Sequence, residues 1–156
     1  MANKVNPVPD GFHTVTPLLV VQGASAAIEF YKNAFGAQER SRSLGQDGAS
    51  IVHAELRIGD SIILLCDEFP HLGITSPRTL GGSPVTLHLY VENVDTLWRQ
   101  ALNAGAQVML PLEDTYWGDR YGKVIDPFGY PWSLATRRRE LTPEEIAERA
   151  KAAFGG

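Results

Sequence analysis

A stretch near the start of this 156-residue chain returns about half-way along it, and that internal repeat restricts the possible folds more than any single motif. Val15-Thr16, Leu19 and Val21 recur as Val85-Thr86, Leu89 and Val91, a constant shift of seventy positions. One deletion later, Gly36-Ala37-Gln38 recurs as Gly105-Ala106-Gln107. Between these anchors each copy holds an apolar run of strand type, then a stretch with helical spacing that stops at a glycine. A long period present only twice indicates two copies of one supersecondary module, since a solenoid needs three or more. Short modules rarely bury a core alone, so the two are expected to pack together and enclose something between them.

Residues 1–156 are expected to form a single domain, with modules at about 13–68 and 84–136 and a C-terminal helix at about 143–154. A net charge of −4 gives no reason to expect nucleic acid or an anionic membrane as partner. The first eleven residues lack a charged start leading into an apolar stretch, so no secretory signal is read there, and no run is long enough to cross a bilayer. The one cysteine, Cys66, has no internal partner, which fits a cytoplasmic location.

In the first module residues 15–21 read as a buried strand. Ala24, Ile28, Tyr31 and Phe35 then fall on one helical stripe, and Gly36 supplies a left-handed stop. Residues 51–58 alternate, with Val52, Ala54, Leu56 and Ile58 on one face and His53, Glu55 and Arg57 on the other. Gly59-Asp60 is a two-residue turn into a strand over 61–67. The pattern is β-α-β-β-β, its second strand the least marked, followed by a Pro-, Gly- and Ser-rich linker over 69–84. The second module repeats it. A strand at 85–91 precedes a helix capped by Asn93 and burying Val94, Trp98, Ala101 and Leu102. A short strand at 107–110 and a hairpin over 118–136, turning at Asp126-Pro127-Phe128-Gly129, complete it. Thr142-Pro143-Glu144-Glu145 is a capping box that starts a final helix with Ile146, Ala150 and Phe154 on one stripe. The arginines at 137–139 read as a solvated connector.

Paired β-α-β-β-β modules, the helix carrying Ala27-Ile28-Glu29-Phe30-Tyr31, the hairpin at 51–67 and the Asp126-Pro127-Phe128-Gly129 turn together resemble the vicinal oxygen chelate superfamily. Tyr116-Trp117-Gly118-Asp119-Arg120-Tyr121-Gly122 ahead of that turn resembles its glyoxalase/bleomycin-resistance and PhnB-like branch. The resemblance implies an α+β fold in which two βαβββ modules form a curved eight-stranded mixed sheet, here with an extra C-terminal helix. It also implies homodimers. Metal-using members carry four ligands on the first and last strands of each module, positions that fall here on Thr16, Leu64, Thr86 and Ser133. None is a customary donor, because divalent-metal sites need imidazole, thiolate or carboxylate. The expectation is therefore no metal at this set and no cofactor, and glyoxalase I or dioxygenase chemistry is not favoured.

Strand parity names the residues that face the cup. Thr14, Thr16, Leu18 and Val20 come from the first strand, and Thr86, His88 and Tyr90 from its repeat. The turn at Gly59-Asp60 pairs Ile58 with Ser61, hence Glu55 with Leu64 and His53 with Cys66. Pairing Ile125 with Tyr130 brings Arg120 opposite Ala135, on the face of Ser133. Glu55 and His88 are the candidates for a catalytic role; His53, Thr16, Thr86, Tyr90 and Arg120 are the candidates for ligand contact. Each has a plainer reading: a hydrogen-bonded core histidine for His88, a solvated strand face for His53 and Glu55, a carboxylate partner for Arg120, a small buried hydrophobe for Cys66. Trp117, Tyr121 and Trp132 read as packing, Trp117 doubling as a mouth residue able to stack on a flat ligand.

Two functions compete. One is a metal-free cup that binds an aromatic or amphipathic small molecule without turnover. The other is an enzyme of lyase or isomerase type, using His53, Glu55 and His88 as a displaced metal site, or Glu55 or His88 as general base with Arg120 steadying an enolate. A structural partner-binding domain, resting on the C-terminal helix alone, is the third reading.

Overall fold

The computed structural model describes residues 3–155; Met1 and Ala2, which open the segment read as lacking a secretory signal, and Gly156 lie outside the described residues. The chain divides into two compact units, one ending at Gly82 and the next beginning at Ser83. The first unit contains β1 (Leu18–Val21), α1 (Ala24–Phe35), β2 (Gln38–Leu44), β3 (Ile51–Ile58) and β4 (Ser61–Asp67). A 3-10 turn (Pro70–Leu72) and a one-turn helix α2 (Pro77–Leu80) follow. The second unit contains β5 (Leu87–Tyr90), α3 (Val94–Ala104), β6 (Gln107–Asp114), β7 (Asp119–Ile125), β8 (Pro131–Arg137) and α4 (Pro143–Phe154). Each unit is β-α-β-β-β around a four-stranded mixed sheet, ordered β1-β4-β3-β2 and β5-β8-β7-β6. The first strand of each runs parallel to the last, and the remaining pairs are antiparallel. The class is α+β, with the C-terminal helix additional to the two modules.

The helices form where the apolar spacing places them. α1 buries Ala24, Ile28, Tyr31 and Phe35 and stops at Gly36; removing a side chain such as Ile28 from water contributes about 1.5–3 kcal/mol. α3 begins at Asn93, whose side chain accepts from Thr96 N, and stops at Gly105. The turn from first strand into helix is closed in both units by the last strand, with different chemistry. Asp67 at the end of β4 accepts from Gly23 N and Ala24 N through Oδ1, and from Ile51 N through Oδ2. Thr136 on β8 accepts from Val94 N at 2.9 Å and donates to Val91 O at 2.7 Å. The bonds from Gly23, Ala24 and Val94 N satisfy helix-start amides that have no partner within the helix.

Three expectations are corrected. The first strands are shorter than 15–21 and 85–91, so Thr16 and Thr86 precede β1 and β5 rather than belonging to them. Val15, in the strand read as buried, is 84% exposed, and its counterpart Val85 is 57% exposed. Pro17 has no N–H to extend the β1 ladder, and Ser83 Oγ both donates to Val85 O and accepts from Val85 N, withdrawing that residue from pairing. Secondly, Val52 is exposed and Ile51 fully buried, because the β2–β3 ladder is irregular between Ser43 and Leu44.

The third correction concerns the last hairpin. Ile58 pairs with Ser61 and Glu55 with Leu64 as expected, but Ile125 pairs with Pro131, not Tyr130. Asp126 Oδ1 accepts from Phe128 N and Tyr130 N, and Oδ2 from Trp132 Nε1. Residue 130 therefore belongs to the turn. The one-residue slip sends each side chain to the other face. Arg120 lies opposite Thr136, on the helix-covered side, and bonds Asp95 of α3 at 3.0 Å. On that same side Gly122 lies under Trp98, where a Cβ would stand 2.5 Å from the ring.

Candidate functional site

The face of the second sheet away from α3 collects the chemistry. Two cross-strand rows form it: His88, Ser133 and Lys123, then Tyr90, Ala135 and Tyr121. Their partners on the covered side, Trp132 and Leu134, are buried in the core. His88 Nδ1 lies 2.5 Å from the hydroxyl of Ser133, itself 2% exposed. The His88 ring meets Tyr90 edge-on at 4.5 Å between centroids and lies nearly parallel to Tyr121 at 6.0 Å. Tyr121 in turn meets Trp117 at 5.4 Å. One buried carboxylate oxygen ties the edges of this surface together: Asp119 Oδ2 accepts from Tyr90 OH at 2.8 Å and from Trp117 Nε1 at 2.9 Å.

The electrostatics follow from these contacts. Burial holds the His88 pKa below the ordinary 6.5, the nearby Asp119 charge only partly opposing it, so the ring is neutral at pH 7 although its outer edge is exposed. Tyr90 is pushed above the ordinary 10, first because its hydroxyl donates to Asp119, then by desolvation. A cavity of about 710 Å³ opens beside Tyr90, lined also by Val91, Glu92, Thr136 and Arg137. That volume falls within the usual range for small-molecule pockets.

The corresponding row in the first unit has leucines in place of the histidine and serine. Leu18 stands opposite Leu64 where the second unit has His88 opposite Ser133, and Glu55 continues the row. Glu55 is half-buried, 3.7 Å from Arg40 Nη1 and 3.7 Å from His53 Nε2, and Arg40 lies over the Phe12 ring. The fold thus brings His53 and Glu55 together, and His88 and Tyr90 together. Thr16 Oγ1 is engaged with His13 O outside the strand, and Thr86 also precedes its strand. Arg120 is directed away from His88, to Asp95 and Asp114. Cys66 is buried, and burial together with Asp67 raises its thiol pKa, the opposite of an activated nucleophile. The β3–β4 ladder ends at Ala54 opposite Leu65, short of a His53–Cys66 pair.

Sequence reasoning missed Asp119 as the organiser of this face and weighed Ser133 only as a metal position. The signal for Ser133 was available, since the repeat aligns it opposite the histidine of its own module. The signal for Asp119 was hidden by the hairpin slip.

The metal set implied by the resemblance does not fit. Leu64 has no donor atom, and the hydroxyls of Thr16 and Ser133 are held by His13 O and His88. Among the described residues no group of three or more His, Cys, Asp or Glu side chains is placed to hold a metal ion. No helix among them is long and apolar enough to cross a membrane.

Comparison with known proteins places this geometry. A family model described as the Glyoxalase/Bleomycin resistance protein/Dioxygenase superfamily matches residues 11–134. An uncharacterized protein of Mycobacterium tuberculosis is 48% identical over 135 residues, covering 85% of this chain and 79% of that one. A solved structure of an Arabidopsis thaliana gene product is 32% identical with a TM-score of 0.63, over 80% of this chain and 98% of the other. A PhnB protein from Bacillus cereus, 19% identical, shares the fold with a TM-score of 0.62 over 80% and 99% of the two chains.

Proposed function

We propose a function from this premise: the chain belongs to the Glyoxalase/Bleomycin resistance protein/Dioxygenase superfamily. It binds a small, flat organic molecule bearing a hydrogen-bonding group, held on the face of β5, β8 and β7. The observation that carries this reading is the aromatic surface of His88, Tyr90, Tyr121 and Trp117 organised around one buried carboxylate, beside an open cavity. Aromatic walls with a few fixed polar groups are what planar ligands require. A cytoplasmic setting and pairing into homodimers belong to the same proposal. Cys66 is an unpaired thiol, and β6, at the end of its sheet, leaves Val108, Met109 and Leu110 about half exposed.

The test is titration with planar aromatic compounds, bleomycin among them, followed by tryptophan fluorescence and by NMR shifts. His88→Ala is expected to weaken binding at least roughly tenfold with unchanged circular dichroism, the effect of losing one charged or strongly oriented contact. Equal affinity in the variant removes the site. Enclosure of the ligand by both modules, expected from the repeat, predicts shifts at His53 and Glu55 too; shifts confined to 86–136 restrict the site to the second module.

One observation favours turnover as a second reading. In the tautomer that carries the proton on Nδ1 and donates it to Ser133 Oγ, neutral His88 presents Nε2 as a base for an acidic C–H. Its mark would be a rate that rises with pH through the His88 ionisation, and Glu55→Gln would shift that profile if Glu55 shares the work.

A further inference from the structure

A second cavity, of about 350 Å³, opens in the C-terminal unit between the β6–β7 turn and the segment leading into α4. We propose that it is a binding site for a small oxyanion, a carboxylate or phosphate group, held by Arg139 and Arg149.

Charge accounting separates these two arginines from their neighbours. Of the run at 137–139, Arg137 faces Glu140 at 4.0 Å and Arg138 bonds Asp95 at 3.1 Å. Among the described residues neither Arg139 nor Arg149 has an ion-pair partner, and both line the cavity. The carboxylates at its wall are already engaged. Asp114 meets Arg120 at 3.4 Å, and Asp119 holds Tyr90 and Trp117. Away from the wall, Glu145, four residues before Arg149 on α4, is occupied by the cap of that helix, accepting from Thr142 N. Two arginines lining one polar cleft without a carboxylate partner favour an anion between them, and the fork of N–H donors on a guanidinium matches a carboxylate or phosphate.

The backbone is built to keep Arg139 there. Gly118 has φ 97°, and its carbonyl accepts from the N–H of both Arg138 and Arg139. A side chain at 118 would stand 2.7 Å from Arg139 O, so only glycine lets the two segments approach this closely. On α4, Arg149 lies beside Ile146 and Ala150, the half-buried stripe, rather than on the opposite, open face.

The experiment is calorimetric titration of the whole protein with inorganic phosphate and, separately, with succinate, at matched ionic strength in sodium chloride. Saturable binding of either anion is expected, weakened at least roughly tenfold in Arg139→Gln and Arg149→Gln, partly restored in Arg149→Lys, and unchanged in Arg99→Gln on exposed α3 surface. Absence of saturable binding of both anions overturns the proposal. So does equal weakening in Arg99→Gln, or loss in His88→Ala with both cleft variants unaffected, which would move the anion to the aromatic face. Circular dichroism of each variant separates loss of the site from loss of α4.

Discussion

His88 stands directly opposite Ser133 across the parallel β5–β8 ladder, its Nδ1 against a hydroxyl that solvent does not reach. The contact fixes the ring's orientation without setting its charge, which burial controls. Ser133→Ala is therefore expected to alter the neutral tautomer ratio seen in imidazole nitrogen shifts and to lower affinity for planar probes. The His88 pKa should remain below 6.5, read by NMR titration. Its return to 6.5 would show that Ser133, not burial, sets the charge.

Asp119→Ala leaves the Trp117 indole and Tyr90 hydroxyl without their shared acceptor. The expected cost is about 1–3 kcal/mol in urea unfolding, with a change in tryptophan emission. Asp119→Asn keeps an acceptor but removes the charge, so Tyr90 should ionise at lower pH than in the parent, followed by ultraviolet titration.

Gly118→Ala places a methyl against Arg139 O in a left-handed backbone, and about 1–3 kcal/mol of stability should be lost. Gly59→Ala is the comparison, since Gly59 has φ 58° but open space around it. Thermal melts showing equal losses would remove the close approach as the cause.

Glu68 gives a pH dependence of definite sign. Bonds from Ser76, Thr79 and Gln22 hold its carboxyl at about 2 rather than 4.5. A pKa depressed on folding means that its contribution is complete above 4.5 and is lost as pH falls towards about 2. His88 acts in a separate window: its lowered pKa makes stability rise with pH up to 6.5. Glu68→Gln should flatten the acid limb of a stability profile and His88→Asn the higher one, each leaving the other intact.

Arg120→Ala tests the corrected register. Because the side chain reaches Asp95 and Asp114 on the helix-covered side, it should lower the Tm slightly and leave affinity for planar probes unchanged. A large loss of affinity would return Arg120 to the site.

Most of the architecture was legible because its signals are local. The stripe of Ala24, Ile28, Tyr31 and Phe35, the stops at Gly36 and Gly105 and the capping box at Thr142 each follow from neighbouring residues. The alternation at 53–58 and the two-residue turn likewise fixed the pairing of Glu55 with Leu64. Parity within a short strand put His88 and Tyr90 on one face. Arg120 was misplaced because a carboxylate, Asp126, drew Tyr130 into the turn, an event that turn composition does not reveal. Thr16 and Thr86 fell outside their strands through Pro17 and Ser83, whose effect is to end pairing without changing the hydrophobic pattern.

The last helix has its own consequence. α4 buries none of its residues, is closed at its start by the reciprocal bonds of Thr142 and Glu145, and near its end touches Tyr116 through Phe154, 79% exposed. A segment that supplies its own cap and so little to the core can open without the sheets. In deuterium its amides will exchange early and together, while those of Leu65 and Leu134 each wait for their own sheet to come apart.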